Sequence, residues 1–405
     1  MSALDLTRQS GQRNLEIEVL RALAVIGVAV HHLQGVLFQP GLQSLTALFH
    51  YADFWWGVDL FFAISGFVIA RGLLPQLGGE RGAGRYWPSW IGAFWIRRFL
   101  RLLPSAWLWL TLTLLAVFLF NKTGVFGSVE ANLKATLAGV LNIANFRLAD
   151  AMFRYEYGAS FVYWSLSLEE QFYLVLPVLL LVLRRHVAWL LVAVFVAQAL
   201  IFRSVFWMTM RTDALALGVL IAMLEQGRIW IVVDPRWVAR FPVSRTMAVL
   251  LPLAGMCVFA SGWMEKWPYR VSSIAMLAAW LVWMASYASG YVMGDGYPRR
   301  WLAWIGARSY AIYLIHVPVY FGMREATQRL IDAGVIHRWP PSWLSLLIAL
   351  VLIGLLAELN YQWVEQPLRA YGRRLADAFE CWCKGHDGRA RDEQASRLGS
   401  VASSP

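Results

Sequence analysis

The stretch LEIEVLRALAVIGVAVHHLQGVLF, residues 15–38, decides the fold. It is mainly apolar over the length a helix needs to span hydrocarbon, yet it carries Arg21 and His32 eleven residues apart. At 100° per residue, eleven positions return a helix to within about 20° of its starting face, after a rise of roughly 16 Å, about half the hydrocarbon thickness. One face therefore bears a cation near one surface and an imidazole deeper in. Ionisable groups at such depth usually serve chemistry or transport. His31 lies about 100° round the helix from His32, off the face of Arg21, and is the second choice for a base.

Outward from this segment, the composition demands lipid as solvent. Hydrophobic residues make up 59% of the 405 positions and charged residues 15%, with a mean hydropathy of +0.52, a surplus that a soluble globule of this size cannot hide. Apolar runs recur at about 15–38, 54–74, 102–120, 133–149, 168–183, 187–206, 211–226, 246–263, 270–291, 301–323 and 342–363. The fourth holds Asn142, Asn145 and Arg147 and reads as a re-entrant or interfacial segment. No cleavable leader pattern precedes residue 15, so the first run is expected to be retained.

With the amino terminus inside and the fourth run not crossing, Arg8, Arg13, the run from Arg71 to Arg101, Arg184, Arg185, Arg228, Arg236, Arg240, Arg245, Arg299, Arg300 and the basic tail all fall on the cytoplasmic side. The expectation is an all-α polytopic bundle of about ten crossings in a bacterial inner membrane, both termini cytoplasmic. Residues 1–14 form a cytoplasmic segment, 15–370 the membrane domain, and 371–405 a disordered basic tail. The net charge of +11 is then an orientation signal and an attraction to anionic lipid, with no call for nucleic acid. Cys257 lies in an apolar run, and Cys381 with Cys383 in the tail, so neither a disulfide framework nor a metal site is expected.

Residues 94–104, FWIRRFLRLLP, place Arg98 and Arg101 on one helical face, read as an interfacial helix entering the third span. A fork of guanidinium donors suits phosphate oxygens, and a snorkelling cluster that sets topology fits the same spacing equally well. Other polar residues fall where hydrocarbon discourages them: Asp59, Glu169, Arg211, Asp213 and His316. On the topology above, His32, Asp59, Glu169, Asp213 and His316 converge in the outer half, where an imidazole beside a carboxylate can take a proton from a hydroxyl. For each alone a structural hydrogen bond is the bland account, and for Asp213 a cap or a pair with Arg211 is at least as good. Glu170 reads as interfacial. Trp55, Trp56, Trp301 and Trp304 fit an interfacial aromatic belt, although a sugar platform uses the same side chains. No phosphate loop, GxSxG elbow, HExxH or CxxC pair appears, which weakens ATPase, serine hydrolase and zinc-enzyme readings.

Taken in order, Arg21 through His32, GVDLFFAISGF at 57–67, RRFLRLLP at 97–104, WSLSLEEQFY at 164–173, RTDALALG at 211–218, SYAIYLIH at 309–316 and VEQPLR at 364–369 resemble the acyltransferase-3 family of integral membrane acyltransferases, which includes O-antigen, exopolysaccharide and nodulation-factor acetylases. The match runs from about 14 to 370. The resemblance implies transfer of an acyl group, most often acetyl from acetyl-CoA as co-substrate, to a hydroxyl of a glycan or glycolipid, with no permanently bound cofactor. It implies that His32 is the essential histidine at the end of an Arg-x10-His spacing with Arg21, that Arg98 and Arg101 lie near the donor's phosphates, and that Glu169 and Asp59 hold the glutamate and aspartate places. Arg211, Asp213, His316 and Tyr310 are expected in the substrate pocket. Some members carry a fused extracytoplasmic hydrolase-like domain; here a second transfer step by such a domain is expected to be absent or supplied separately.

The expected chemistry is deprotonation of the acceptor by His32, helped by Asp59 or Glu169, and attack on the thioester, with an acyl-histidine route left open. A carrier or flippase is the competing class, since buried charges also line transport paths. It predicts inverted repeats, and no convincing repeat is found. A sensor without catalysis leaves the Arg21 and His32 face unexplained.

Overall fold

In the computed structural model, which describes residues 14–38, 43–78, 87–201 and 203–383, Asn14 opens the first helix, α1 (Leu15–His31). Its side chain accepts from the backbone N–H groups of Glu16 at 3.0 Å and Ile17 at 3.3 Å and donates to the Ala285 carbonyl at 2.7 Å, so one residue caps α1 and ties it to a distant helix. The helix does not run on to residue 38. Gln34 and Gly35 leave helical geometry, Gly35 with a φ of 80° that favours glycine, and the chain turns away through Leu33–Leu37. His32 thus sits at an unwinding helix end rather than inside a continuous span.

The remaining α-helices of five residues or more up to Asn360 are α2 (Gln43–Tyr51), α3 (Gly57–Gly78), α4 (Trp87–Phe120), α5 (Val129–Val140), α6 (Ala144–Ala151), α7 (Tyr163–Leu183), α8 (Val187–Leu200), α9 (Val205–Thr209), α10 (Asp213–Glu225), α11 (Pro242–Ala260), α12 (Arg270–Ser286), α13 (Tyr297–Ala307), α14 (Ser309–Asp332) and α15 (Ser342–Asn360). No strand forms among the described residues beyond one isolated bridge, so the all-α expectation holds. Six helical segments among them are long and apolar enough to cross a membrane: Gly57–Leu77, Trp87–Phe120, Tyr163–Leu200, Val205–Glu225, Pro242–Ala260 and Ser342–Cys383.

At the centre, α1 packs against α3, α12, α13 and α14, and α3 packs along α10. That last contact is dictated by small residues. A Cβ on Gly66 would lie 2.2 Å from the Leu215 carbonyl oxygen, and one on Gly218 would lie 2.2 Å from that of Ala63, so the two glycines let the backbones touch. The periphery is the reverse. Leu347, Leu350, Val351 and Leu355 on α15 stay exposed, as an apolar face toward lipid requires.

The fourth run keeps its expected non-crossing form, whereas the start of the tail does not keep its expected disorder. The run 133–149 is broken into helices of 12 and 8 residues, about 18 and 12 Å long, each short of the roughly 30 Å of hydrocarbon. The break is built by the polar residues that weakened the run. Asn142 adopts φ 54°, its carbonyl accepts from Gln171 at 2.8 Å, and Gln171 and Asn145 exchange amide hydrogen bonds at 2.9 and 3.1 Å. Residues 371–383 are helical rather than disordered. Gly372 and Ala376 are buried, Phe379 packs on Gly92, and Glu380 pairs with Arg97 at 3.4 Å, a repeating face that finds a partner in the first turns of α4. Residues 384–405 and 1–13, the rest of the two expected terminal segments, lie outside the described residues.

Candidate functional site

His32 closes α1, and its ring is held by a second histidine. Its Nδ1 lies 3.0 Å from Nε2 of His316, a fully buried residue of α14, whose own Nδ1 lies 3.2 Å from the Ile312 carbonyl oxygen. A carbonyl only accepts, so His316 Nδ1 carries the proton and its Nε2 offers a lone pair. His32 Nδ1–H then donates to that lone pair. Neutral His32 is left with an unprotonated Nε2, the tautomer a base requires. The order of the contacts sets the polarity of the pair without any carboxylate.

The carboxylates expected beside His32 lie elsewhere. Asp59, fully buried, is 3.0 Å from Nε of Arg211. Asp213 pairs with Arg203 at 2.6 Å and accepts from Ser272 at 3.2 Å, so neither the cap nor the Arg211 pair is its main role. Glu169 accepts from Ser65 and from Tyr173. The imidazole that does meet a carboxylate is His31, whose Nδ1 is 2.6 Å from Asp53 Oδ1. Glu170, expected at the interface, is buried on α7 instead.

Three cavities run in series through the bundle. The first, of about 290 Å³, is ringed by Arg97, Arg98, Arg101, Arg369 and Arg373, with Glu380 on its wall. Arg98, Arg101 and Ile69 also wall the second, a narrow space of about 70 Å³ that holds Arg21, Glu169, Tyr173 and Tyr310. Val58 and Tyr313 in turn wall both the second and a third cavity of about 190 Å³, bounded by His31, His32, Trp55, Trp164, Arg211 and Arg270. Tyr313 is fixed in this partition by hydroxyl contacts to Ser165 at 2.6 Å and the Val162 carbonyl at 3.0 Å. Tyr310 donates to the Leu102 carbonyl at 2.8 Å, and Arg21 pairs with Glu18 at 3.3 Å.

Arg21, Arg98, Arg101, Glu169 and Tyr310 therefore share one space; His32 and Arg211 share the next; Asp59, Asp213 and His316 lie behind the walls. The pattern missed Tyr313, Arg203, Arg270 and Asp53. Tyr313 alone had a local signal, three residues before His316 on the same helical face. Trp301 and Trp304 are exposed as a belt predicts, but Trp55 lines the third cavity and Trp56 is buried with its Nε1 3.3 Å from Cys257 Sγ.

A family model described as an acyltransferase domain matches residues 14–359. The chain is 26% identical over 391 residues to YrhL of Bacillus subtilis, covering 85% of this chain and 57% of that one. It is 26% identical over 394 residues to the peptidoglycan O-acetyltransferase OatA of Listeria monocytogenes, covering 90% and 57%. It is 24% identical over 386 residues to the O-acetyltransferase OatA of Staphylococcus aureus, covering 88% and 57%. The chain thus spans 57% of the length of these relatives. No solved structure matches it.

Proposed function

Because this chain belongs to the acyltransferase family whose model it matches over residues 14–359, we propose that it is a membrane O-acyltransferase moving an acetyl group from acetyl-CoA to a hydroxyl of an exported glycan. The observation that carries this reading is the series of cavities from the arginine-ringed mouth to the free Nε2 of His32. Five guanidiniums suit the phosphates of coenzyme A, and a narrow second cavity suits its extended thiol-bearing arm, which brings the thioester toward Tyr313. His32 Nε2 accepts the proton of the acceptor hydroxyl as that oxygen attacks the thioester carbonyl. The tetrahedral adduct collapses to an ester, and the departing thiolate takes the proton back from His32. His316 supplies the tautomer, while Glu169, held by Ser65 and Tyr173, faces the donor arm rather than the base.

The acceptor stands on the far side from the arginines. The names of the relatives make a cell-wall glycan the first to try, ahead of lipopolysaccharide. About ten crossings, with the arginine mouth and both termini in the bacterial cytoplasm, complete the proposal. Exposed Cys381 should then react with an impermeant maleimide only in opened cells.

Labelled acetyl-CoA supplied to proteoliposomes with a soluble peptidoglycan fragment tests the function. Label in ester linkage to the glycan supports it; movement of unmodified glycan without label favours a carrier. His32→Ala should lose transfer while inserting normally.

A further inference from the structure

Arg211 is 3% exposed, yet its guanidinium lies between two indoles, 4.9 Å from the Trp55 ring and 5.1 Å from that of Trp164. Asp59 comes nearest at its Nε, 3.0 Å away. Its two terminal amino groups make no hydrogen bond to any described residue, and the side chain lines the third cavity beside His32. A buried arginine with idle donors is costly unless something accepts from them. Arg270 reaches the same cavity from the first position of α12, its guanidinium 5.8 Å from the Trp55 ring, with no ion pair of its own among the described residues. Two carboxylates lie near Arg270: Asp53, which is engaged by His31 at 2.6 Å, and Glu265, which is exposed. Two guanidiniums therefore face the cavity, while the carboxylates near them, Asp59, Asp53 and Glu265, are absent from its lining.

We infer that the third cavity is a subsite for an acidic sugar, the fork of Arg211 and the charge of Arg270 holding a carboxylate or phosphate on the acceptor ring while Trp55 and Trp164 flank it. The inference rests on the acyltransferase reading and adds the charge of the acceptor to it. The two indoles fix the guanidinium plane, so the fork is pre-organised for a planar or tetrahedral oxyanion. At about 190 Å³ the space is below the roughly 300–1,000 Å³ of pockets for drug-sized ligands, which limits it to about one ring of a longer chain. Anchoring the anion on Arg211 and Arg270 leaves another hydroxyl of the same ring to meet His32 across the cavity. The donor's phosphates do not compete, since their arginines lie beyond the Tyr313 partition.

Binding to the full chain in lipid nanodiscs, read calorimetrically without donor, tests this with three probes: N-acetylmuramic acid, N-acetylglucosamine 6-phosphate and neutral N-acetylglucosamine. At least one acidic sugar should bind tenfold or more tightly than the neutral one, and the tighter of the two identifies the anionic group. Arg270→Gln, at a half-buried position, should remove that preference, and Arg270→Lys should keep most of it. Equal affinity for all three, no binding of either acidic sugar, or an unchanged preference in Arg270→Gln overturns the inference. Absence of the preference in the unaltered chain with acetyl transfer intact sinks the subsite alone, whereas anion-selective binding without transfer sinks the acyltransferase reading alone.

Discussion

His32 and His316, 284 positions apart in sequence, meet ring to ring with Nδ1 3.0 Å from Nε2, and the chain of contacts ends on the Ile312 carbonyl. A histidine takes the place that a carboxylate occupies in many base dyads. In the proposed transfer the difference has a chemical consequence: the partner would fix orientation and tautomer without a formal negative charge beside the imidazolium. Replacing His316 by Asn should therefore lower kcat by about tenfold to a hundredfold, less than loss of the base itself, and leave the KM for acetyl-CoA within threefold. Steady-state kinetics on the reconstituted variant decide it. An equal rise in donor KM would mark His316 as a packing residue only.

The arginine-ringed mouth predicts a different kinetic signature. Arg98→Gln and Arg101→Gln should each raise the donor KM by about tenfold, since a hydrogen bond to a charged group contributes about 1.5–3 kcal/mol, while kcat falls less. The wild-type KM should also rise with ionic strength, because part of the cavity is open to solvent. An unchanged KM in both variants would show that these arginines orient the helix in the membrane and hold no phosphate.

Tyr313 stands between the second and third cavities, so its size should matter more than its hydroxyl. Tyr313→Phe loses the contacts to Ser165 and the Val162 carbonyl, a loss of about 1 kcal/mol, and should keep measurable turnover. Tyr313→Trp should block the passage and abolish transfer, with donor binding at the mouth preserved. Undiminished transfer in Tyr313→Trp would show that the thioester does not pass this wall.

The backbone contact of α3 with α10 makes a prediction about stability. Gly66→Val puts a branched side chain where even a Cβ meets the Leu215 carbonyl oxygen at 2.2 Å, and should destabilise the bundle by about 3 kcal/mol or more. Gly72→Ala on the same helix meets nothing within 4 Å and should be tolerated. Thermal unfolding in detergent, followed by size-exclusion chromatography, compares the two. Equal unfolding temperatures would contradict the packing.

Much of this architecture is legible in the sequence because lipid enforces simple rules. Apolar length marks the helices, and Asn142, Asn145 and Arg147 betray the broken segment: Gln171 ties Asn142 and Asn145 at the break, and Arg147 reaches the carbonyls of Tyr157 and Ala131. Arg21, His32, Arg98 and Arg101 are legible for the same reason: charge in hydrocarbon stands out. Pairings are not. Nothing local says that Asp59 meets Arg211, that Asp213 meets Arg203, or that His32 meets His316, because each contact depends on how neighbouring helices are placed by contacts such as Gly66 on Leu215. The helix through 371–383 carries four charges among apolar residues, and its packing on Gly92 is a long-range fact.

The most direct test of the account is a sided one. Proteoliposomes oriented with the arginine mouth outward receive labelled acetyl-CoA outside only and a peptidoglycan fragment enclosed inside only. A single path from mouth to His32 predicts ester-linked label on the enclosed glycan, absent in His32→Ala; label that appears only when donor and acceptor share one side of the membrane would contradict it.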